Sequence, residues 1–84
     1  LKQFKKQIDV GNDVAAQIAA GDNRIFGVMI ESNLVEGNQP LSRNLDELEY
    51  GKSITDACVG FDDTVKIIET LNNAVLERRK VHQA

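Results

Sequence analysis

Hydrophobic residues recur at helical spacing over the first part of the chain. Between Phe4 and Ala20 they return every three or four positions, which is the period of one face of an α-helix. Gly21 follows directly and can adopt the left-handed conformation in which many helices end. The pattern therefore predicts a helix from Phe4 to Ala20, and the residues expected on or near its buried face are Phe4, Ile8, Gly11, Ala15, Ile18 and Ala19.

The next segment, residues 24–30, is apolar almost throughout and does not alternate between apolar and polar positions. A strand with one solvent-facing side would alternate, whereas a parallel strand covered on both faces is a continuous hydrophobic run. We therefore predict an interior strand here, with Glu31 at its carboxyl end. A second short strand is predicted at residues 53–58, where Ile54 and Thr55 are β-branched.

An irregular stretch, from Asn33 to Gly51, separates the two predicted strands. It contains the only proline, Pro40, and is predicted to be a long loop with a turn of helix around Leu45 to Leu48. Loops of this length within a compact domain often have a function.

A second helix is predicted after residues 60–63. Asp62 or Asp63 is the expected N-cap, and acidic residues at this end also favour the helix dipole. Arg78, Arg79 and Lys80 lie in the expected last turn, where positive charge is favourable. The apolar stripe with a period near 3.6 consists of Val65, Ile68, Leu71, Val75 and Leu76.

The predicted order is helix, strand, long loop, strand, helix, which indicates an α/β fold with a parallel sheet. Two strands alone cannot form such a sheet, because its faces and edges need cover from neighbouring elements. We therefore expect residues 1–84 to be a segment of a single larger domain whose upstream part is missing from this sequence.

Composition narrows the class of protein. The 84 residues carry a formal net charge of −3, and Cys58 and His82 are the only cysteine and histidine. A lone cysteine excludes an internal disulfide and favours a cytoplasmic setting. No apolar run approaches the roughly 20 residues that span a membrane. Basic residues without interleaved aromatics are weak evidence for nucleic-acid binding, so neither a membrane nor a nucleic acid is an expected partner.

Glu31 and Asp56 are the candidate functional residues. Parallel α/β folds build their sites at the carboxyl ends of strands, where Glu31 would lie, although an acid there can also simply face solvent. Asp56 lies among apolar neighbours, so partial burial is expected; it could instead bond to local backbone N–H groups. Two carboxylates on neighbouring strands could contribute to a divalent metal site without completing it.

Other candidates have weaker support. Cys58 has no histidine or lysine close by in sequence, so a structural thiol is the simpler interpretation. The glycines at 21, 27 and 37 form neither a dinucleotide-binding nor a P-loop pattern. Lys52 could meet an anion but is more simply an exposed lysine.

Two long blocks resemble one known family. Residues 27–39, GVMIESNLVEGNQ, and residues 50–61, YGKSITDACVGF, are similar to the carboxyl-terminal part of the class I 3-deoxy-D-arabino-heptulosonate-7-phosphate (DAHP) synthases. The opening residues 2–7 and the stretch from Asn73 to Arg79 also fit, so the resemblance covers nearly the whole chain. Asn33 departs from it, because some relatives have histidine there.

The resemblance implies the carboxyl-terminal part of a (β/α)8 barrel and a transferase of the shikimate pathway. Such enzymes condense phosphoenolpyruvate with erythrose 4-phosphate at a divalent metal (Mn, Fe, Co or similar). A cysteine, a histidine, a glutamate and an aspartate hold that metal. The resemblance places the glutamate at Glu31 and the aspartate at Asp56, and puts the other two ligands upstream of this chain. It also implies a cytoplasmic homo-oligomer.

The 84 residues alone are expected to be inactive. The alternative is a free-standing small α/β binding module without catalytic activity. The two hypotheses differ in whether the isolated chain folds cooperatively.

Overall fold

The computed structural model describes residues 3–83, so residues 1, 2 and 84 of the predicted segment lie outside it. A 3₁₀ turn, Gln3–Lys5, leads into helix α1, Lys6–Ala19. A second 3₁₀ turn, Leu45–Glu47, lies within the long connection, and helix α2, Phe61–Val81, follows it. The two predicted helices are therefore confirmed.

Helix α1 presents the face that its sequence predicts. Phe4, Ala15 and Ile18 are buried, while Ile8, Gly11 and Ala19 are partly buried. Gly21 ends the helix with φ +114°, and its N–H donates to the carbonyl of Ile18 at 2.9 Å. This confirms the expected left-handed glycine.

Small residues bring α1 and α2 close together. Ala15 and Ile18 of α1 form one buried cluster with Ala74 of α2. A Cβ at Gly11 would lie 3.3 Å from Cγ2 of Ile67, so glycine permits a close approach here. Glycine inside a helix costs roughly 0.5–1 kcal/mol relative to alanine, and this contact accounts for its presence.

Helix α2 differs from its prediction in two respects. Gly60 is the N-cap and supplies no side-chain cap, whereas Asp62 and Asp63 lie inside the first turn. The buried residues are Ile67 and Ala74, whereas three of the predicted stripe positions are exposed: Val65, Ile68 and Leu76. The packed face is therefore rotated from the expected one, because the small side chain of Ala74 sets the line of contact with α1.

The two predicted strands are wrong. Across residues 3–83 the β-type pairing consists of three isolated bridges, Ser32 with Val59, Gly37 with Cys58, and Asn38 with Ser53. A strand needs a continuous hydrogen-bonded ladder to a neighbour, and this part of the chain provides no neighbour for residues 24–30. Phe26 is 97% exposed and Met29 is 81% exposed, although the apolar run predicts burial.

The α/β fold class, and with it the carboxyl-terminal part of a (β/α)8 barrel, is thus corrected. The described chain is two packed helices joined by a long irregular connection, residues 20–60. It is elongated, with extents of 60 × 18 × 16 Å and a radius of gyration of 16.1 Å. A compact domain of this length would have a radius of about 12 Å. The helical turn expected around Leu45 to Leu48 is confirmed as the 3₁₀ turn. In the described range, neither helix is long and apolar enough to cross a membrane.

Arg78 fastens the connection to α2. Its Nη1 donates to the carbonyl of Asp22 at 2.9 Å and to that of Ile25 at 2.7 Å. Asp22 in turn accepts from Arg24, from Nε at 3.1 Å, from Nη2 at 2.9 Å and from the backbone N–H at 2.8 Å. These side-chain and backbone bonds from Arg24 lower the pKa of Asp22 to about 2.

Replacing Arg78 with methionine should loosen the turn after α1. Hydrogen bonds from a charged donor contribute about 1.5–3 kcal/mol, so we expect a local loss of about 2 kcal/mol. Amide hydrogen exchange of residues 20–22 should then accelerate about 30-fold. The exposed neighbour Arg79, replaced in the same way, is the control. Equal acceleration in both variants would contradict this role of Arg78.

Replacing Arg24 with methionine should raise the pKa of Asp22 from about 2 towards 3.8. Because the folded-state pKa is depressed, the interaction stabilises the fold above pH 4, and this contribution is lost as the pH falls towards 2. A carboxyl NMR titration of Asp22 measures the change, with Arg43→Met as the control. A pKa that stays near 2 without Arg24 would refute the assignment.

Candidate functional site

Glu31 is partly buried, and hydrogen bonds hold its backbone from two directions. Its N–H donates to Oε1 of Gln7 at 2.8 Å, and its carbonyl accepts from Nε2 of Gln7 at 2.8 Å. The same carbonyl accepts from the N–H of Val59 at 3.0 Å. Glu31 is therefore fixed both to helix α1 and to the segment that precedes α2.

Val59 anchors this arrangement in the core. It is fully buried at 0% exposure and clusters with Phe4 and Ile67. Its carbonyl accepts from the N–H of Asn33 at 3.0 Å, which completes the parallel bridge between Ser32 and Val59. Residues 31–33 therefore lie beside residues 58–60.

Asp56 lies three positions before Val59 on the same segment and is exposed. The prediction of partial burial is wrong, because residues 54–56 form a surface bend. The backbone carbonyl of Asp56 accepts from Sγ of Cys58 at 3.5 Å. The structure thus places Glu31 and Asp56 on two segments joined by the Ser32–Val59 bridge.

Residues of the two sequence blocks, 27–39 and 50–61, bind each other through backbone and side-chain hydrogen bonds. The N–H of Gly37 donates to the carbonyl of Cys58 at 2.8 Å, and the N–H of Cys58 donates back at 3.1 Å. Asn38 donates from Nδ2 to the carbonyl of Thr55 at 2.9 Å. Residues 37 and 38 therefore tie the loop to the segment that carries Asp56.

Gln39 closes the rest of the loop. Its Nε2 donates to the carbonyls of Glu49 and Lys52, both at 2.9 Å, and its Oε1 accepts from the N–H of Glu49 at 2.9 Å. Gly51 has φ +80°, and a Cβ there would lie 2.8 Å from Cβ of Leu34. Any other residue at position 51 would therefore meet both backbone strain and a steric clash.

The donor chemistry of the candidate site suits a divalent metal only in part. Carboxylates are ligands for hard and intermediate divalent ions, and both candidate residues carry one. Within residues 3–83, however, no group of three or more His, Cys, Asp or Glu side chains could hold a metal. Glu31 and Asp56 can therefore provide at most part of a coordination shell.

The remaining candidates have structural contacts. Cys58 is a partly buried free thiol. His82 is exposed, and its Nε2 lies 2.8 Å from the carbonyl oxygen of Gly21. Lys52 forms an ion pair with Glu49 at 3.6 Å.

Gln7 is the residue that the sequence reasoning missed. It is one position from Ile8, three from Phe4 and four from Gly11, and therefore lies along the apolar face of α1. A polar side chain in that place is the one available signal. That signal could not identify Glu31 as the contact of Gln7, because the two residues are 24 positions apart in sequence.

Comparison with known proteins identifies the family. The family model described as the DAHP synthetase I family matches residues 1–69. A Phe-sensitive phospho-2-dehydro-3-deoxyheptonate aldolase of Escherichia coli K12 is 59% identical over 78 residues, which is 93% of this chain. The phospho-2-dehydro-3-deoxyheptonate aldolase of Haemophilus influenzae is 53% identical over 79 residues, or 94% of the chain.

A solved structure agrees with these matches. The phospho-2-dehydro-3-deoxyheptonate aldolase of Francisella tularensis SCHU S4 aligns with a TM-score of 0.82 and 54% identity over 93% of this chain. The chain spans about 22% of the length of this protein and of the two curated relatives. With a family model that matches most of its length, and with the resemblance of residues 27–39 and 50–61 thereby confirmed, the chain belongs to the DAHP synthetase I family.

Proposed function

We propose that this chain is the part of a DAHP synthase that supplies two carboxylates to a divalent metal site. The parent enzyme condenses phosphoenolpyruvate with erythrose 4-phosphate and water and releases phosphate, in the first step of the shikimate pathway. The observation that carries this proposal is the 59% identity to a phospho-2-dehydro-3-deoxyheptonate aldolase over 93% of the chain. Residues 1–84 are then the carboxyl-terminal segment of one larger domain.

The contacts of the two segments support this assignment of Glu31 and Asp56. The Ser32–Val59 bridge joins the segment that carries Glu31 to the segment that carries Asp56. Within residues 3–83, neither carboxylate takes part in a hydrogen bond or an ion pair, so both are available to a cation. Carboxylate oxygens suit a divalent ion such as Mn, and a histidine or a cysteine from elsewhere in the parent protein would extend the choice to Fe or Co.

The residues of this chain act by binding and orienting. A divalent metal supplies Lewis acidity for the aldehyde oxygen of erythrose 4-phosphate or for a water molecule. Glu31 and Asp56 would each provide one carboxylate to hold it, while the remaining ligands, a cysteine and a histidine, come from elsewhere in the parent protein. Cys58 is not assigned as that cysteine, because the family resemblance places the metal-binding cysteine upstream of this chain.

The setting of the parent enzyme follows from the same proposal. It is a cytoplasmic homo-oligomer that acts in aromatic amino acid biosynthesis. Its partners are its two phosphorylated substrates, and neither a nucleic acid nor a membrane is among them.

Changing Glu31 or Asp56 to alanine in the full-length enzyme should weaken metal binding and turnover. Mutating residues that only support metal ligands costs about 10–100-fold, so loss of a ligand should cost at least about 100-fold. Isothermal titration with Mn²⁺ and steady-state turnover measure the two effects. Asp46→Ala, in the exposed 3₁₀ turn, is the matched control. Asp56→Ala with full metal-dependent activity would refute its role as a ligand.

The isolated 84-residue chain should be inactive and should melt without a cooperative transition. Phe26 and Met29 are almost fully exposed, and the described chain is elongated, so little apolar surface is buried to offset the loss of chain entropy. Scanning calorimetry of the isolated chain beside the full-length enzyme tests this. A sharp transition in the isolated chain would favour a free-standing binding module instead.

A further inference from the structure

Gln7 makes an unusual pair of contacts with the backbone of Glu31. Its side-chain amide donates to the carbonyl of Glu31 and accepts from the N–H of Glu31, both at 2.8 Å. A neighbouring β-strand would offer the same donor and acceptor to a hydrogen-bonded residue. A helix side chain thus replaces a missing strand partner at this one residue.

The surroundings of Gln7 favour its two bonds to Glu31. Gln7 lines an open cleft of about 290 Å³ whose other walls include Val10, Ile30 and Ile67. Both of its bonds are partly buried, so they are less exposed to competition from water than bonds on the open surface. The apolar walls Val10, Ile30 and Ile67 have no polar side-chain atoms that could compete with Glu31 for the amide.

The bonds also complete the restraint on Glu31. The carbonyl of Glu31 has two lone pairs, and it accepts from both Gln7 and Val59. Its N–H is used by Gln7 alone among the described residues. The N–H belongs to the peptide group before Glu31 and the carbonyl to the peptide group after it, so both flanking peptide planes are held and the direction of the Cα–Cβ bond of Glu31 is restrained.

We infer that Gln7 is a positioning residue that aims the Glu31 carboxylate at the metal through the backbone of Glu31. The inference rests on the proposed role of Glu31 as a metal ligand. It extends the site to helix α1, which carries none of the proposed ligands of this chain. Residues that orient metal ligands typically contribute 10–100-fold to metal affinity.

The test uses the full-length enzyme, stripped of metal and titrated with Mn²⁺ alone. Gln7→Met keeps the length of the side chain but removes both bonds, so we expect the Kd for Mn²⁺ to rise at least about 10-fold. The electron paramagnetic resonance spectrum of bound Mn²⁺ should broaden, because one ligand is less well fixed. Gln7→Asn keeps an amide but is too short to make both bonds, so it should show the same effect. This variant replaces Gln7→Met in the test if the methionine variant does not fold.

Two controls separate positioning from general stability. Gln17→Met changes the same residue type at an exposed position of α1 and should leave both readouts unchanged. Ile18→Val removes one methyl group from the core and should destabilise the fold modestly. It should lower the melting temperature without changing the Kd for Mn²⁺.

The outcomes are distinguishable. If Glu31→Gln loses Mn²⁺ while Gln7→Met and Gln7→Asn bind it as the unchanged enzyme does, the inference is overturned and the proposed function stands. If the Kd rises in Ile18→Val as much as in Gln7→Met, the effect is one of stability, and the inference is again overturned. If Glu31→Gln binds Mn²⁺ normally, the proposed function fails and the inference fails with it.

Discussion

The close contact between α1 and α2 is the constraint on which the rest of the described structure depends. Gly11 lies against Ile67, and Ala15 and Ile18 lie against Ala74. Larger side chains at these points would push the helices apart. The separation of the helices in turn decides whether Gln7 on one helix and Val59, just before the other, can both reach the backbone of Glu31. A larger side chain at Gly11, Ala15 or Ala74 would therefore disturb the candidate site as well as the packing.

Polar side chains that bind backbone groups help to order the long connection, in addition to backbone–backbone bonds such as those between Gly37 and Cys58. Arg78 binds the carbonyls of Asp22 and Ile25, Gln7 binds Glu31, and Gln39 binds Glu49 and Lys52. Irregular backbone must satisfy its N–H and carbonyl groups in some way. In this chain a few long side chains perform the task that a sheet would otherwise perform.

The sequence predicted those features that depend on local chemistry. The spacing of apolar residues was sufficient to predict both helices. The left-handed conformation at position 21 was predicted from the glycine there. The resemblance of residues 27–39 and 50–61 was sufficient for the family. The role of Glu31 and Asp56 as metal ligands stays a prediction.

The failures have one physical cause. An apolar run such as residues 24–30 predicts burial in a sheet, but burial and strand pairing both depend on a partner, and residues 3–83 provide none. The burial of Asp56 failed for a similar reason, because apolar neighbours in sequence do not place a surface bend in the core. Gln7 was missed because the local spacing of residues cannot predict a contact between positions 24 residues apart.

The apolar run of residues 24–30 is tethered near its two ends to different helices: Arg78 of α2 binds Ile25, and Gln7 of α1 binds Glu31, the residue directly after the run. The exposed Phe26 and Met29 lie between these tethers. Ordering the backbone of a residue costs about 1–2 kcal/mol, and the tethers have already imposed part of that order. The stretch is therefore preorganised: whatever covers its apolar side chains gains their burial at a reduced entropic cost.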